Sequence, residues 1–184
     1  MYPPGSTTAV IVEGMSDRLD GRSRPGHFYG VTTVVAKLFN IVQPDLAFFG
    51  QKDAAQAAII RKMVRDLNFP LEIVVCPIVR ERDGLAMSSR NAYLSIEERK
   101  RATVLYRSLM RVQSLYQQGE RESARLVATG KEAIAGESGV RLDYLEIVNP
   151  DTLEKVSDAG GALVAVAAHV GSTRLIDNIL LLRK

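Results

Sequence analysis

LAFFGQKDAAQAAIIRKMVRDLNFPLEIVVC, residues 46–76, decides the fold. Two short, continuously apolar runs, residues 46–50 and 71–77, flank a stretch rich in strong helix formers. Apolar side chains at Ala55, Ile59, Met63 and Leu67 recur at helical spacing there. Runs without apolar–polar alternation belong to strands covered on both faces. A strand, a helix and a second strand of that kind imply parallel pairing with a helical crossover. This is half of a doubly wound sheet, the α/β class, although only two or three of its strands are visible.

Working toward the N-terminus, residues 27–42 place Val31, Val34, Val35, Leu38 and Ile41 on one helical stripe, which is expected to face a core. The Gln43-Pro44-Asp45 stretch ends this helix, because proline holds its predecessor extended. DGRSRPG, residues 20–26, reads as an exposed loop, and TTAVIV, residues 7–12, as a short β-branched strand.

Beyond Pro77 the pattern changes. Ser95-Ile96-Glu97-Glu98 is a capping box that opens a helix running to about Gln118, where Gly119 stops it. A second helix follows over about 121–135. Three strand-like runs, residues 140–148, 162–170 and 173–182, are then joined by Asn-Pro, Gly-Gly and Gly-Ser turns. The expected organisation is residues 1–79 as part of a Rossmann-like nucleotide-binding domain and residues 80–184 as a small α+β domain. That second domain should place two helices over an antiparallel sheet.

Composition narrows the function. Of 184 residues, 46% are hydrophobic and 24% charged, which argues for a globular chain rather than a disordered one. Net charge is +3, from 24 basic and 21 acidic residues without a like-charge block, so nucleic acid is not an expected partner. No apolar run reaches the roughly 20 residues of a membrane helix, and MYPPGSTT lacks a signal-peptide pattern; the cytoplasm is the expected location. The one cysteine, Cys76, excludes an internal disulfide and reads as a small buried hydrophobe. With two histidines besides, an all-protein metal site is not expected.

Two loops carry anion chemistry. Gly50 ends an apolar strand, the place where parallel sheets bind ligands, and the amides that open the next helix favour negative charge. Lys52 adds a point charge, Asp53 is the natural helix cap, and Gln56 projects an amide one turn later. In the second loop, GLAMSSRN (84–91), Ser88 and Ser89 offer hydroxyls and Arg90 a five-donor fork for phosphate oxygens. A plain strand-to-helix turn and a polar turn before a helix are the alternatives.

FFGQKDAAQ, VRERDGLAMSSRNAYLS, GSTRLIDNI and HFYGVTTVVAKLFNIVQPDLAFFG together resemble the pantothenate synthetase family, the pantoate–β-alanine ligases. The resemblance implies a nucleotidyl-transferase-like Rossmann half and an ATP-dependent reaction. In it pantoate is adenylated, pyrophosphate leaves, and β-alanine displaces AMP. It also implies Mg²⁺ and a homodimer. By this likeness Gly50, Gln51, Lys52 and Asp53 form the ATP-binding turn, and Gln56 meets pantoate. Val79 lies near adenine, and Met87, Ser88, Ser89 and Arg90 form the flexible ATP loop. Arg24 and His27 fall in a stretch that faces the cleft in the family, with a structural role for His27 as the alternative.

Two departures stand out. Gln51 replaces the family's usual glutamate. The family's leading His-x-Gly-His portion, which supplies a catalytic histidine, occurs nowhere in the sequence. The likeness is to the C-terminal two-thirds of the enzyme, and the chain alone is expected to be inactive or nearly so. Two other readings follow from that absence: a non-catalytic nucleotide-binding or assembly fragment, and another adenylating enzyme of the same superfamily.

Overall fold

The computed structural model describes residues 1–183. Its first elements are a four-residue helix α1 (Asp20–Ser23), a long helix α2 (His27–Val42), strand β1 (Leu46–Gly50), helix α3 (Ala54–Asp66) and strand β2 (Glu72–Cys76). β1 and β2 run parallel, with Leu46 opposite Glu72 and Gly50 opposite Cys76, so the expected α/β crossover is present. α3 buries the small Ala55 and Ala57, the branched Ile59 and Ile60 and the unbranched, adaptable Met63. It ends where Asn68 turns left-handed (φ 53°) and the Phe69 amide donates to the Val64 carbonyl at 3.1 Å. Leu67, expected on the buried stripe, lies beyond the last turn and is 50% exposed.

Several expectations in this region are corrected. α2 buries Phe28, Thr32, Thr33, Ala36 and Phe39, whereas Leu38 and Ile41 of the predicted stripe are exposed. The reason is that both threonines satisfy their hydroxyls locally, on the Phe28 and Tyr29 carbonyls, so they bury at little cost beside two aromatic rings. The same hydroxyls replace the strand expected at residues 7–12. The Val10 amide donates to Thr33 Oγ1, and its carbonyl shares the single Thr32 hydroxyl proton with the Phe28 carbonyl, so no ladder forms there. β1 is not buried on both faces. Leu46 and Phe48 are exposed, while Ala47 and Phe49 on the opposite side are half-buried. Residues 20–26 are not wholly an exposed loop either. Asp20 and Gly21 are buried in α1, and a Cβ at Gly21 would overlap the Ser16 carbonyl. Cys76 is half-buried rather than buried.

The described chain divides into two compact units: Met1–Cys76 with Asp151–Leu153, and Pro77–Pro150 with the segment from Glu154 onward. The short insert belongs to the first unit through Arg18, which donates to the Thr152 carbonyl, and Arg61, which pairs with Asp151 at 3.0 Å.

In the second unit, helices α4 (Ile96–Ala102), α5 (Val104–Gln117) and α6 (Ser123–Ala135) precede β3 (Val140–Val148), β4 (Leu163–Val170) and β5 (Thr173–Leu180). The three strands form an antiparallel sheet in the order β3-β4-β5, with a bulge between Leu142 and Tyr144. Leu105, Leu109, Val112, Leu126 and Ile134 pack on Val164, Val166 and Ala168. The capping box is complete. Ser95 Oγ accepts from the Glu98 amide at 3.2 Å, and the Ser95 amide donates to Glu98 Oε2 at 2.8 Å. The single helix expected from Ser95 to Gln118 is broken at Thr103. There both the amide and the hydroxyl bond the Lys100 carbonyl, at 3.3 and 2.7 Å, and tighten that turn.

Candidate functional site

Gly50 ends β1 with ordinary extended geometry (φ −78°, ψ 134°), and nothing lies within 4 Å of where a Cβ would stand. The strand therefore ends in open space rather than in a packed turn. Gln51–Asp53 make one 3-10 turn that leads into α3. Lys52 Nζ is 4.0 Å from Asp53 Oδ1, with side-chain exposures of 22% and 52%. Asp53 occupies the cap position of α3 but forms no side-chain capping bond, contrary to expectation, because the intervening 3-10 turn carries its carboxyl toward Lys52 instead. Gln56 is half-buried in the first turn of α3. Gly50, Gln51, Lys52, Asp53 and Gln56 are thus gathered at the carboxyl end of β1.

The second loop is a tight hairpin. The Glu81 amide donates to the Leu85 carbonyl at 2.8 Å, the Met87 amide to the Val79 carbonyl at 2.9 Å, and Arg80 stands opposite Ala86. Val79 and Met87, eight positions apart in the sequence, are therefore direct neighbours, and both are exposed. At the hairpin tip the Gly84 amide closes on the Glu81 carbonyl at 2.9 Å. Gly84 has φ 91°, and a Cβ there would overlap the ring of Tyr106. Asp83 is gripped by both terminal nitrogens of Arg99, at 2.7 and 3.0 Å. The Arg99 hydrogen bond holds the Asp83 carboxyl below its ordinary pKa.

From the return strand the chain passes into the 3-10 turn Ser89–Tyr93. Ser88 Oγ accepts from the Arg90 amide at 3.2 Å, and Asn91 Nδ2 donates to the Ala86 carbonyl at 3.1 Å. Arg90 and Ser89 are exposed, and one Arg90 nitrogen reaches the Arg174 carbonyl at 3.3 Å. The turn is fixed at its root, with Ser88 half-buried and Ser89 and Arg90 exposed.

Sequence reasoning gave no role to the pair at the hairpin's root. Arg80 meets Asp177 through two bonds, Nη1 to Oδ2 at 2.7 Å and Nη2 to Oδ1 at 2.9 Å. Both residues stood in quoted stretches, but 97 positions separate them, and no local pattern joins them. At the start of α2, Arg24 Nη1 donates to His27 Nε2 at 3.2 Å. Among the described residues no group of three or more His, Cys, Asp or Glu side chains is placed to hold a metal ion, and no helix is long and apolar enough to cross a membrane.

A sequence profile described as Pantoate-beta-alanine ligase matches residues 1–180, through both loops. The chain belongs to that family. A pantothenate synthetase from Koribacter versatilis is 62% identical over 182 residues, which are 98% of this chain and 62% of that protein. One from Acidobacterium capsulatum is 63% identical over 98% of this chain and 61% of its own length. The chain thus spans about three-fifths of the length of these curated relatives. Among solved structures, pantothenate synthetase from Thermus thermophilus superposes with a TM-score of 0.94 at 49% identity, covering 99% of this chain and 66% of that one. A pantoate-beta-alanine ligase from Francisella tularensis, solved with beta-gamma ATP and beta-alanine, gives 0.71 at 29% identity, over 98% of this chain and 60% of that one. Family and fold are therefore those expected from the motifs.

Proposed function

We propose that this chain is the phosphate-gripping portion of an ATP-dependent, AMP-forming ligase that condenses pantoate with β-alanine. Its first unit would be the C-terminal part of the nucleotide-binding domain, and its second the small α+β domain. One observation supports the reading above others. The family match runs through two loops whose cation and donor groups, Lys52 in one and Ser88, Ser89 and Arg90 in the other, stand at open ends of their elements.

In the first step a pantoate carboxylate oxygen attacks the α-phosphorus of ATP. The bond to the bridging oxygen breaks and pyrophosphate leaves. Lys52 and Arg90, with the Ser88 and Ser89 hydroxyls, balance the charge that gathers on the phosphates, which is the effect that lowers such a barrier most. Gly50, Gln51 and Asp53 complete the turn beneath the nucleotide. Val79 and Met87, neighbours on the hairpin, offer exposed apolar surface to the base, with the Val79 backbone as its polar contact. Gln56 holds pantoate. In the second step the β-alanine amine attacks the acyl carbon, AMP leaves, and the amine's proton passes to water. No covalent bond to the protein is needed.

Mg²⁺ would enter as the ATP complex, held by phosphate oxygens and water. The assembled enzyme would be a homodimer in the cytoplasm, with no nucleic-acid or membrane partner. The isolated chain would turn over slowly or not at all.

Calorimetric titration with ATP and magnesium tests this. The parent chain should bind, and Lys52→Ala and Arg90→Ala should each weaken binding by about tenfold or more, the scale of a lost charged hydrogen bond. Binding indifferent to both changes would leave plain turns in place of a phosphate grip. Pantothenate formation by the isolated chain at the rate of a full-length relative would refute the inactivity.

A further inference from the structure

We propose that Arg80 and Asp177 act as a positioning pair that sets the geometry of the Ser88, Ser89 and Arg90 donors. The Asp177 side chain is fully buried and that of Arg80 is 21% exposed. Besides its two bonds to Asp177, the guanidinium donates to the Gly84 carbonyl at 2.9 Å and the Asn178 carbonyl at 3.3 Å. Its carbon lies 4.6 Å over the Tyr106 ring, the same ring that excludes a Cβ at Gly84. Asp177 Oδ1 also accepts from the Asn178 amide at 2.7 Å. One side chain thus ties the outgoing arm of the hairpin, its tip and β5 together.

β5 then meets the loop a second time. Arg174, three positions before Asp177, supplies the carbonyl that holds Arg90. The donors are bracketed between two points of one strand, and that strand is paired along its length to β4. A buried ion pair is weak evidence for stability, because desolvating both charges offsets most of their attraction. A two-bond fork, however, admits one orientation where apolar packing would admit several. Arg80 touches the backbone of the loop and not its donor groups, so it works through them.

The binding part of this inference rests on the ligase reading, and the experiment separates the two. Arg80→Lys keeps the charge and loses the fork, and Asp177→Asn keeps the shape and loses the charge. The readouts are hydrogen exchange at the amides of Gly84, Met87, Arg90 and Asn91, exchange across β3, β4 and β5, and affinity for ATP with magnesium. Arg107→Lys, in the exposed pair with Glu137, is the control. Both test variants should speed exchange at the four amides by about tenfold and leave the sheet unchanged, and ATP should bind about tenfold more weakly. Unchanged exchange at the four amides would overturn the proposal. So would acceleration across the whole sheet, which marks a general stabiliser, or weaker ATP binding with exchange unaltered, which marks a direct nucleotide contact. If the parent binds no ATP, the ligase reading fails, and exchange at the four amides decides the pair by itself.

Discussion

β1 and β4 are both short apolar strands, and they end up in opposite conditions. β4 is paired on both edges, and every residue but His169 is buried. β1 is paired on one edge and alternates between exposed and half-buried, with Phe48 64% exposed. The contrast extends to the helices beside them. α5 hides Leu105 and Leu109 completely, while α2 leaves Leu38, Ile41 and Val42 on the surface. An apolar run fixes that a strand or helix forms. How many neighbours the element finds fixes what it buries, and the same composition yields a closed core in one unit and an open face in the other.

The largest expected effect tests that contrast directly. Leu109→Ala should cost about 3 kcal/mol of unfolding free energy, from lost transfer energy and the cavity left behind. Leu38→Ala should cost less than about 0.5 kcal/mol, since little packing is removed. Urea denaturation followed by a probe in each unit measures both. Equal costs would mean that the exposed stripe of α2 is in fact packed.

The difference also explains what could be read from the sequence. The three strands expected over residues 140–148, 162–170 and 173–182 were legible to within two residues, because runs with β-branched residues broken by turn residues have few other folds. The capping box was legible because it is local. The buried face of α2 was not. Thr32 and Thr33 count as polar in any periodicity, and only the folded helix reveals that their hydroxyls are already satisfied. For the site, residue types and family likeness pointed to Lys52 and to Ser88, Ser89 and Arg90. The hairpin that joins Val79 to Met87 is local, but the arginine at its root pairs with Asp177 across 97 positions, which no window of sequence contains.

The two glycines at the candidate loops offer the next comparison. Gly84→Ala should destabilise the second unit by about 2 kcal/mol, because a left-handed backbone (φ 91°) and the Tyr106 ring both oppose a methyl group. Gly50→Ala meets open space and an ordinary φ of −78°, so its stability should change by less than about 0.5 kcal/mol. Thermal melting of the two variants gives the difference. A Gly50→Ala chain that melts like its parent yet loses ATP affinity would locate the nucleotide against that strand end.

Helix starts repeat the pattern on a smaller scale. Ser95→Ala removes a working cap from α4 and should cost about 1 kcal/mol. Asp53→Ala removes a carboxyl that caps nothing in α3, so its stability cost should stay below about 0.5 kcal/mol. If Asp53→Ala proved the costlier of the two, the 3-10 turn before α3 would depend on that carboxylate.

The smallest effect concerns the one residue that interrupts the burial of β4. His169 faces Arg141 on β3 and Arg174 on β5, in register across the sheet. Burial lowers its pKa below the ordinary value of about 6.5. Arg141 and Arg174 push the same way, and Asp143 partly opposes them. The unfolded chain therefore binds a proton more readily than the folded one. Stability should be full above the ordinary value and fall as pH drops through it toward the lower folded value. His169→Gln cannot take up that proton, so its unfolding free energy should change less between pH 7.5 and 5 than the parent's. A parent that gains stability relative to the variant on acidification would reverse the sign. It would mean that Asp143, which already holds Arg174, outweighs both burial and the two arginines at this position.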